Sequence, residues 1–308
     1  MTGPTRIAAC GMLLLAAALA ACGKGAPAYR TFDAPEQAAQ ALIDAAKSSR
    51  VDDLVAIFGP DSRDLVASAD AVAAKRGRDI FVAAVRERWS LAGEPPGSKT
   101  LVIGNEEWPF PIPIVRDGDR WRFDTAAGKE EVLARRIGRN ELAAIRVCHT
   151  YVGAQRLYAE HGHDGGSPGA FATKFRSDPD RQNGLYWTAK TGEHRSPLGD
   201  LVAFAAQEGR AVQADSGQPS PFHGYYFRIL TAQGPAADGG AKEYIVGGRM
   251  SGGFALVAWP AVYDTTGVMT FIVGADGVVR ERDLGPGTES AASGMRAFDP
   301  DPSWQLVR

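Results

Sequence analysis

The period at which apolar residues recur changes three times along this chain, and that order restricts its fold more than any single motif. In "FDAPEQAAQALIDAAKSSRVDDLVAIFG", Ala38, Ala39, Leu42, Ile43 and Ala46 recur at helical spacing. Asp33 stands as an N-cap ahead of Pro35 and Glu36. "VDDLVAIFGP" is a second, short helix stopped by Gly59-Pro60, and "SADAVAAKRGRDIFVAAVRERWSL" continues the helical pattern. After "AGEPPGSKT" the period falls to two: "KTLVIG", "PFPIPIVRDG" and "RWRFDT" predict strands, with Asp117-Gly118 as a hairpin turn. Helical spacing returns near residue 129 and gives way to "GYYFRILTAQG", "AKEYIVGG", "GFALVAWPAVY" and "GVMTFIVGADGVVRERDLG". Helices followed by strands, twice over, predict an α+β chain of two domains, 31–128 and 129–308.

The stretch "WPFPIPIV" places Pro109, Pro111 and Pro113 at every second position. Their missing N–H groups all fall on one side, so this segment is confined to an edge strand or an extended arm. Trp108, Phe110, Ile112 and Ile114 then face the opposite way and can pack.

"KEEVLARRIG" and "NELAAIRVCHTYVGAQRLYAEHG" predict one long helix, or two broken at Gly138. At 100° per residue, Ala144, Ile145, Cys148, Tyr151, Val152 and Ala159 share one face. Gln155 falls within that face and is expected to act as a structural polar anchor, bonded to sheet or loop backbone, because a buried amide must be satisfied. Cys148, mid-helix on the apolar face, is expected to be a buried, inert thiol.

The N-terminus carries the most specific motif. "MTGPTR" is a short polar lead, and "IAACGMLLLAAALAA" is an apolar run too short for a comfortable bilayer span. It ends in Leu19-Ala20-Ala21-Cys22, which resembles a bacterial lipobox. That resemblance implies a signal peptide at 1–21, lipidation (diacylglycerol and palmitate-type chains) on Cys22, and a tether over 22–30. More than one acyl chain gives stable anchoring. Gly23-Lys24 lacks an inner-membrane retention aspartate, which favours the outer membrane, facing the periplasm. Of the three cysteines, Cys10 leaves with the signal and Cys22 is acylated, so Cys148 has no disulfide partner.

Candidate chemistry is sparse. His161, His163 and Asp164 stand close enough together for a zinc or copper site, with a solvated polar loop as the plainer alternative. Ser196 lies beside His194, but no G-x-S-x-G elbow is present and "SPLG" suits a helix start. No residue is assigned a catalytic role and no cofactor is expected. Aromatics crowd the C-terminal half, and Trp187, His223, Tyr225 and Tyr226 are the candidate binding residues, since consecutive aromatics in a strand cannot all point inward. A net charge of −2, without a basic run, argues against a nucleic-acid partner.

Several long stretches resemble bacterial domain-of-unknown-function family 2950: "NEEWPFPIPIVRDGDRWRFDTAAGKEEVLARRIGRNELAAI", "YVGAQRLYA", "GLYW", "SPLG", "HGYYFRILTAQG" and "GFALVAWPAVYDTTGVMTFIVGADGVV". The family is uncharacterised and carries over no functional residue. More loosely, the N-terminal half resembles NTF2-like or cystatin-like folds, helices on a curved antiparallel sheet. The C-terminal half resembles the globular head of type IV pilins, a long helix packed on an antiparallel sheet, without the processing site or membrane stem of a pilin. The expected function is a lipid-anchored envelope protein with a non-catalytic binding or assembly role and an envelope protein partner. The alternatives are an envelope hydrolase acting on cell-wall or lipid material, and a periplasmic metal-binding protein.

Overall fold

The computed structural model describes residues 29–66, 71–93, 96–163, 166–189, 195–201 and 221–307. The signal peptide, Cys22, Asp164 and His194 lie outside the described residues. The chain is α+β and divides into two compact units, the first ending at Gly128 and the second beginning at Lys129.

In the first unit, helices α1 (Pro35–Ser48), α2 (Val51–Phe58), α3 (Arg63–Val66) and α4 (Ala71–Glu87) precede strands β1 (Trp89–Ala92), β2 (Ser98–Ile103), β3 (Trp108–Pro109), β4 (Ile114–Asp117) and β5 (Arg120–Phe123). The strands form an antiparallel sheet in the order β1-β2-β4-β5, with β3 also on β2. Leu42, Ile43, Ile57 and Phe58 from the helices meet Leu101, Ile103, Ile114 and Phe123 from the sheet in one buried core. Each such side chain contributes about 1.5–3 kcal/mol on full burial.

Three expectations shift here. Ala34, not Asp33, is the N-cap of α1, and it makes no side-chain cap bond; the Asp33 carboxylate instead pairs with Arg120 on the sheet. Trp89–Ala92, expected as the end of a helix, pairs with Thr100–Ile103 as a strand, because its burial alternates rather than following a helical stripe. The hairpin turn falls on Gly118-Asp119, one residue later, since Asp117 pairs with Arg120.

The proline-spaced stretch pairs with β2 at both of its ends, through Trp108 and Pro109 in β3 and through Ile114 and Val115 in β4. Strand β4 lies between β2 and β5 and not at the sheet edge. Just after β3, the Phe110 N–H donates to Leu101 O at 2.7 Å. Ile112 and Ile114 are buried and Phe110 packs on the core, but Trp108 is 44% exposed. A Cβ at Gly128 would lie 2.6 Å from Ile112 Cγ1, so glycine is what allows this helical residue to pass over the segment.

Helix α5 runs unbroken from Thr125 to Ala159, through Gly138. In the second unit it packs on a sheet of order β15-β13-β12-β11-β6, formed by β6 (Tyr225–Leu230), β11 (Ala255–Pro260), β12 (Met269–Gly274), β13 (Val279–Asp283) and β15 (Gln305–Leu306). Small ladders complete the unit: β7 (Ala232–Gln233), β8 (Lys242–Glu243) and β14 (Ala297–Phe298) in one, β9 (Ile245–Val246) and β10 (Arg249–Met250) in the other. The interior strand β11, between β12 and β6, is buried at all six positions, which explains its continuous apolar sequence. On the sheet face away from α5, Arg228 donates to Ala292 O at 2.8 Å and to Ser293 O and Met295 O. It thereby caps the short helix Thr288–Gly294.

Polar groups of α5 fix it to the sheet. Asn140 Nδ2 donates to Thr266 O at 2.8 Å, and Glu141 Oε1 accepts from the N–H groups of Val268 (2.9 Å) and Met269 (3.0 Å). Burial first, and then the Glu141 charge, raises the Glu281 carboxyl above the ordinary carboxylate range. A carboxyl whose pKa rises on folding costs stability when ionised. That cost is absent below the unfolded value of about 4.3 and complete above the raised folded value. Glu281→Gln is therefore expected to raise the melting temperature at pH 7, with the gain closing by pH 4. An equal gain at both pH values contradicts the electrostatic cause.

Candidate functional site

After α5 ends, residues 160–163 and 166–189 run as irregular chain, and a buried amide ties the second stretch to the helix. Gln155 has no exposed surface. Its Nε2 donates to Ala172 O and its Oε1 accepts from Ala172 N, both at 2.8 Å, so the side chain pairs with a loop peptide much as a strand would. Gln155 Nε2 also donates to Tyr151 OH at 3.0 Å, and that hydroxyl donates to Ala255 O on β11 at 3.1 Å. Helix, loop and sheet are thereby joined by one satisfied buried network.

Around this anchor the loop folds back in short steps. Phe171 N donates to Met250 O at 2.7 Å, Tyr158 OH to Gln182 O at 2.8 Å, and Tyr186 N to Phe175 O at 2.8 Å. Gly184 lies so close to Arg176 and Ser177 that a Cβ there would come within 2.6 Å of backbone. Leu198 N donates to Leu185 O at 3.0 Å, which brings Ser196 beside Tyr186 and Trp187.

These contacts border an open cleft of about 540 Å³. Tyr186, Trp187 and Leu157 give it apolar wall, and His161, Arg195, Ser196 and Asp200 give it polar groups. Trp187 is 7% exposed and rests against His163, ring centroids 5.4 Å apart. Arg176 lies over the Tyr186 ring at 5.8 Å.

The candidate residues separate into different places. Trp187, His161 and His163 line the cleft together. His163 does so as a structural piece: it stacks on Tyr158 at 4.0 Å, Nε2 meets Tyr158 O at 3.1 Å and Nδ1 meets Gln182 Oε1 at 3.3 Å. These contacts hold the His163 ring in the wall of the cleft, and Asp164, the third residue of the expected metal set, lies outside the described residues. Among the described residues no group of three His, Cys, Asp or Glu side chains is placed to hold a metal ion. His149 is exposed on α5, away from the buried stripe.

Tyr225, expected as a binding residue, is fully buried and its hydroxyl donates to Met269 O at 2.9 Å, so it packs and does not present a surface. Tyr226 turns to the other face of the sheet and packs on Trp259, centroids 5.7 Å apart. His223 occupies a two-residue turn with Gly224, both at positive φ (48° and 74°), closed by paired bonds between Phe222 and Tyr225. Turn geometry accounts for that histidine.

Burial pushes the Cys148 thiol up to about 12 and raises the Tyr151 and Tyr225 phenols. These shifted groups are core pieces, and none lines the cleft. Cleft residues absent from the sequence-based site are Tyr186, Arg195 and Asp200. No spacing signal marks them, because a long-range backbone bond between Leu185 and Leu198 assembles the wall.

A family model described as a protein of unknown function (DUF2950) matches residues 29–307. No curated protein and no solved structure matches the chain.

Proposed function

We propose, from the premise that this chain belongs to the DUF2950 family, that it is a lipid-anchored protein of the bacterial cell envelope. Its role is non-catalytic, and it binds an envelope component at the cleft beside Trp187. The observation that supports binding is that cleft: an open cleft whose volume lies in the usual small-molecule range, with apolar wall and a few polar groups. The anchor rests on Leu19-Ala20-Ala21-Cys22 after an apolar run. Among the described residues no helix is long and apolar enough to cross a membrane. The helix-on-sheet arrangement of the second unit resembles a pilin head, and the first unit an NTF2-like fold, in architecture alone; neither likeness licenses an activity.

A crosslinker placed at Ala189, an exposed cleft residue, is expected to capture an envelope component in cells, while the same group at Asp61 in the first unit captures none. Equal labelling from both positions removes the cleft from the reading. Cys22→Ala is expected to abolish incorporation of labelled palmitate and to move the protein from the membrane to the soluble fraction. Retained palmitate labelling refutes the anchor. In wild type, density-gradient separation should place the protein with the outer membrane.

Ser196, His161 and Asp200 share the same cleft, which favours hydrolysis of the bound component as the second reading. Ser196→Ala separates the two: unchanged capture with unchanged product supports binding, and unchanged capture with loss of a hydrolysed product supports the enzyme.

A further inference from the structure

We infer that the cleft of the second unit takes an uncharged, hydroxyl-rich sugar, a mono- or disaccharide portion of an envelope glycan. This rests on the cleft being a binding site and adds the class of ligand. Three features of the lining point there. Tyr186 is half-buried, carries Arg176 over its ring at 5.8 Å and lines the cleft. A flat aromatic wall of this kind suits the C–H face of a pyranose ring.

Arg195 and Asp200 are both exposed and line the same cleft. Asp200 places a carboxylate in the same cleft as Arg195, which works against an anion such as phosphate. A sugar hydroxyl can accept from the guanidinium while a neighbouring hydroxyl donates to the carboxylate. Hydrogen bonds to charged partners are stronger than neutral ones, so a polyhydroxylated ligand gains from each residue. The walls are also fixed before any ligand arrives. Trp187 is held against His163, whose ring nitrogens are engaged, and Tyr186 is bonded through its backbone to Phe175 and Ser177 at 2.8 Å. A rigid site spends little binding energy on ordering itself.

The test uses the full-length lipoprotein in detergent micelles and isothermal titration with N,N′-diacetylchitobiose, a neutral disaccharide, and with D-alanyl-D-alanine, a zwitterionic peptide. Saturable binding of the disaccharide is expected, weakened at least tenfold by Asp200→Asn and by Tyr186→Leu, with no binding of the peptide. Asp200 is exposed, so Asp200→Asn reports on the cleft even where Tyr186→Leu disturbs packing. Two results overturn the inference: no heat from the disaccharide, or disaccharide binding indifferent to Asp200→Asn. Peptide binding without disaccharide binding overturns the sugar class while leaving the cleft as a binding site. Crosslinking from Ala189 tests that prior reading separately.

Discussion

Replacing Gln155 with leucine is expected to destabilise the second unit by about 2–5 kcal/mol. Leucine matches the volume of the amide, so no large cavity opens. The loss lies in the polar groups left behind. Ala172 is 1% exposed, and both its N–H and its C=O bond to Gln155 at 2.8 Å. Each buried group stranded without a partner costs about 1–3 kcal/mol. Tyr151 OH also loses the donor at 3.0 Å, although it keeps Ala255 O. Urea denaturation measures the loss, and hydrogen exchange at the Ala172 amide localises it. A variant within about 1 kcal/mol of wild type would mean that Ala172 finds water or another partner and that the loop does not depend on this anchor.

Gly184→Ala is expected to weaken ligand binding at the cleft more than tenfold, at a stability cost of about 1–3 kcal/mol. The added Cβ would lie 2.6 Å from Arg176 C, 2.7 Å from Ser177 N and 2.8 Å from Arg176 O. All three are backbone atoms, so no side chain can swing aside. The strand-like pairing of residues 174–177 with 184–186 must open, and with it the bonds from Ser177 N to Tyr186 O and from Tyr186 N to Phe175 O, both 2.8 Å. Tyr186 and Trp187 then leave the wall they form. Titration of the variant beside wild type reads the effect. Unchanged affinity would separate the cleft from the packing of Gly184.

Much of the fold was legible because hydrophobic period reports burial directly. The α5 stripe is a case: of the predicted face, Ala144, Cys148, Tyr151, Val152 and Gln155 are buried, and Ile145 and Ala159 at its border are half-buried. The amide within that stripe was readable as an anchor on the same grounds, since a buried Gln needs partners, but which backbone it reaches was not. The alternating prolines were less informative. Pro109, Pro111 and Pro113 pointed to an edge strand or an extended arm, yet the segment leaves β3 and enters the interior strand β4 at Ile114, and Trp108 lies 44% exposed. Trp89–Ala92 was misread because a short apolar run at a helix end fits either period.

The site was legible only in fragments. Trp187, His161 and His163 were recognisable as residue types with chemistry, and Tyr225 and His223 looked equally so. Nothing local distinguished them. Tyr225 is buried under Gly267, where an added Cβ would meet its hydroxyl at 2.1 Å, and His223 supplies a turn. By itself the sequence determined the alternation of helix and strand, the buried face of α5 and the lipobox-like terminus, because each depends on neighbours within a few turns or residues. The tertiary structure alone decided which aromatics face a cleft and which histidine nitrogens are already engaged. Those outcomes depend on contacts between segments far apart in the chain, such as Gln155 with Ala172 and Leu185 with Leu198, whose partners local periodicity cannot specify.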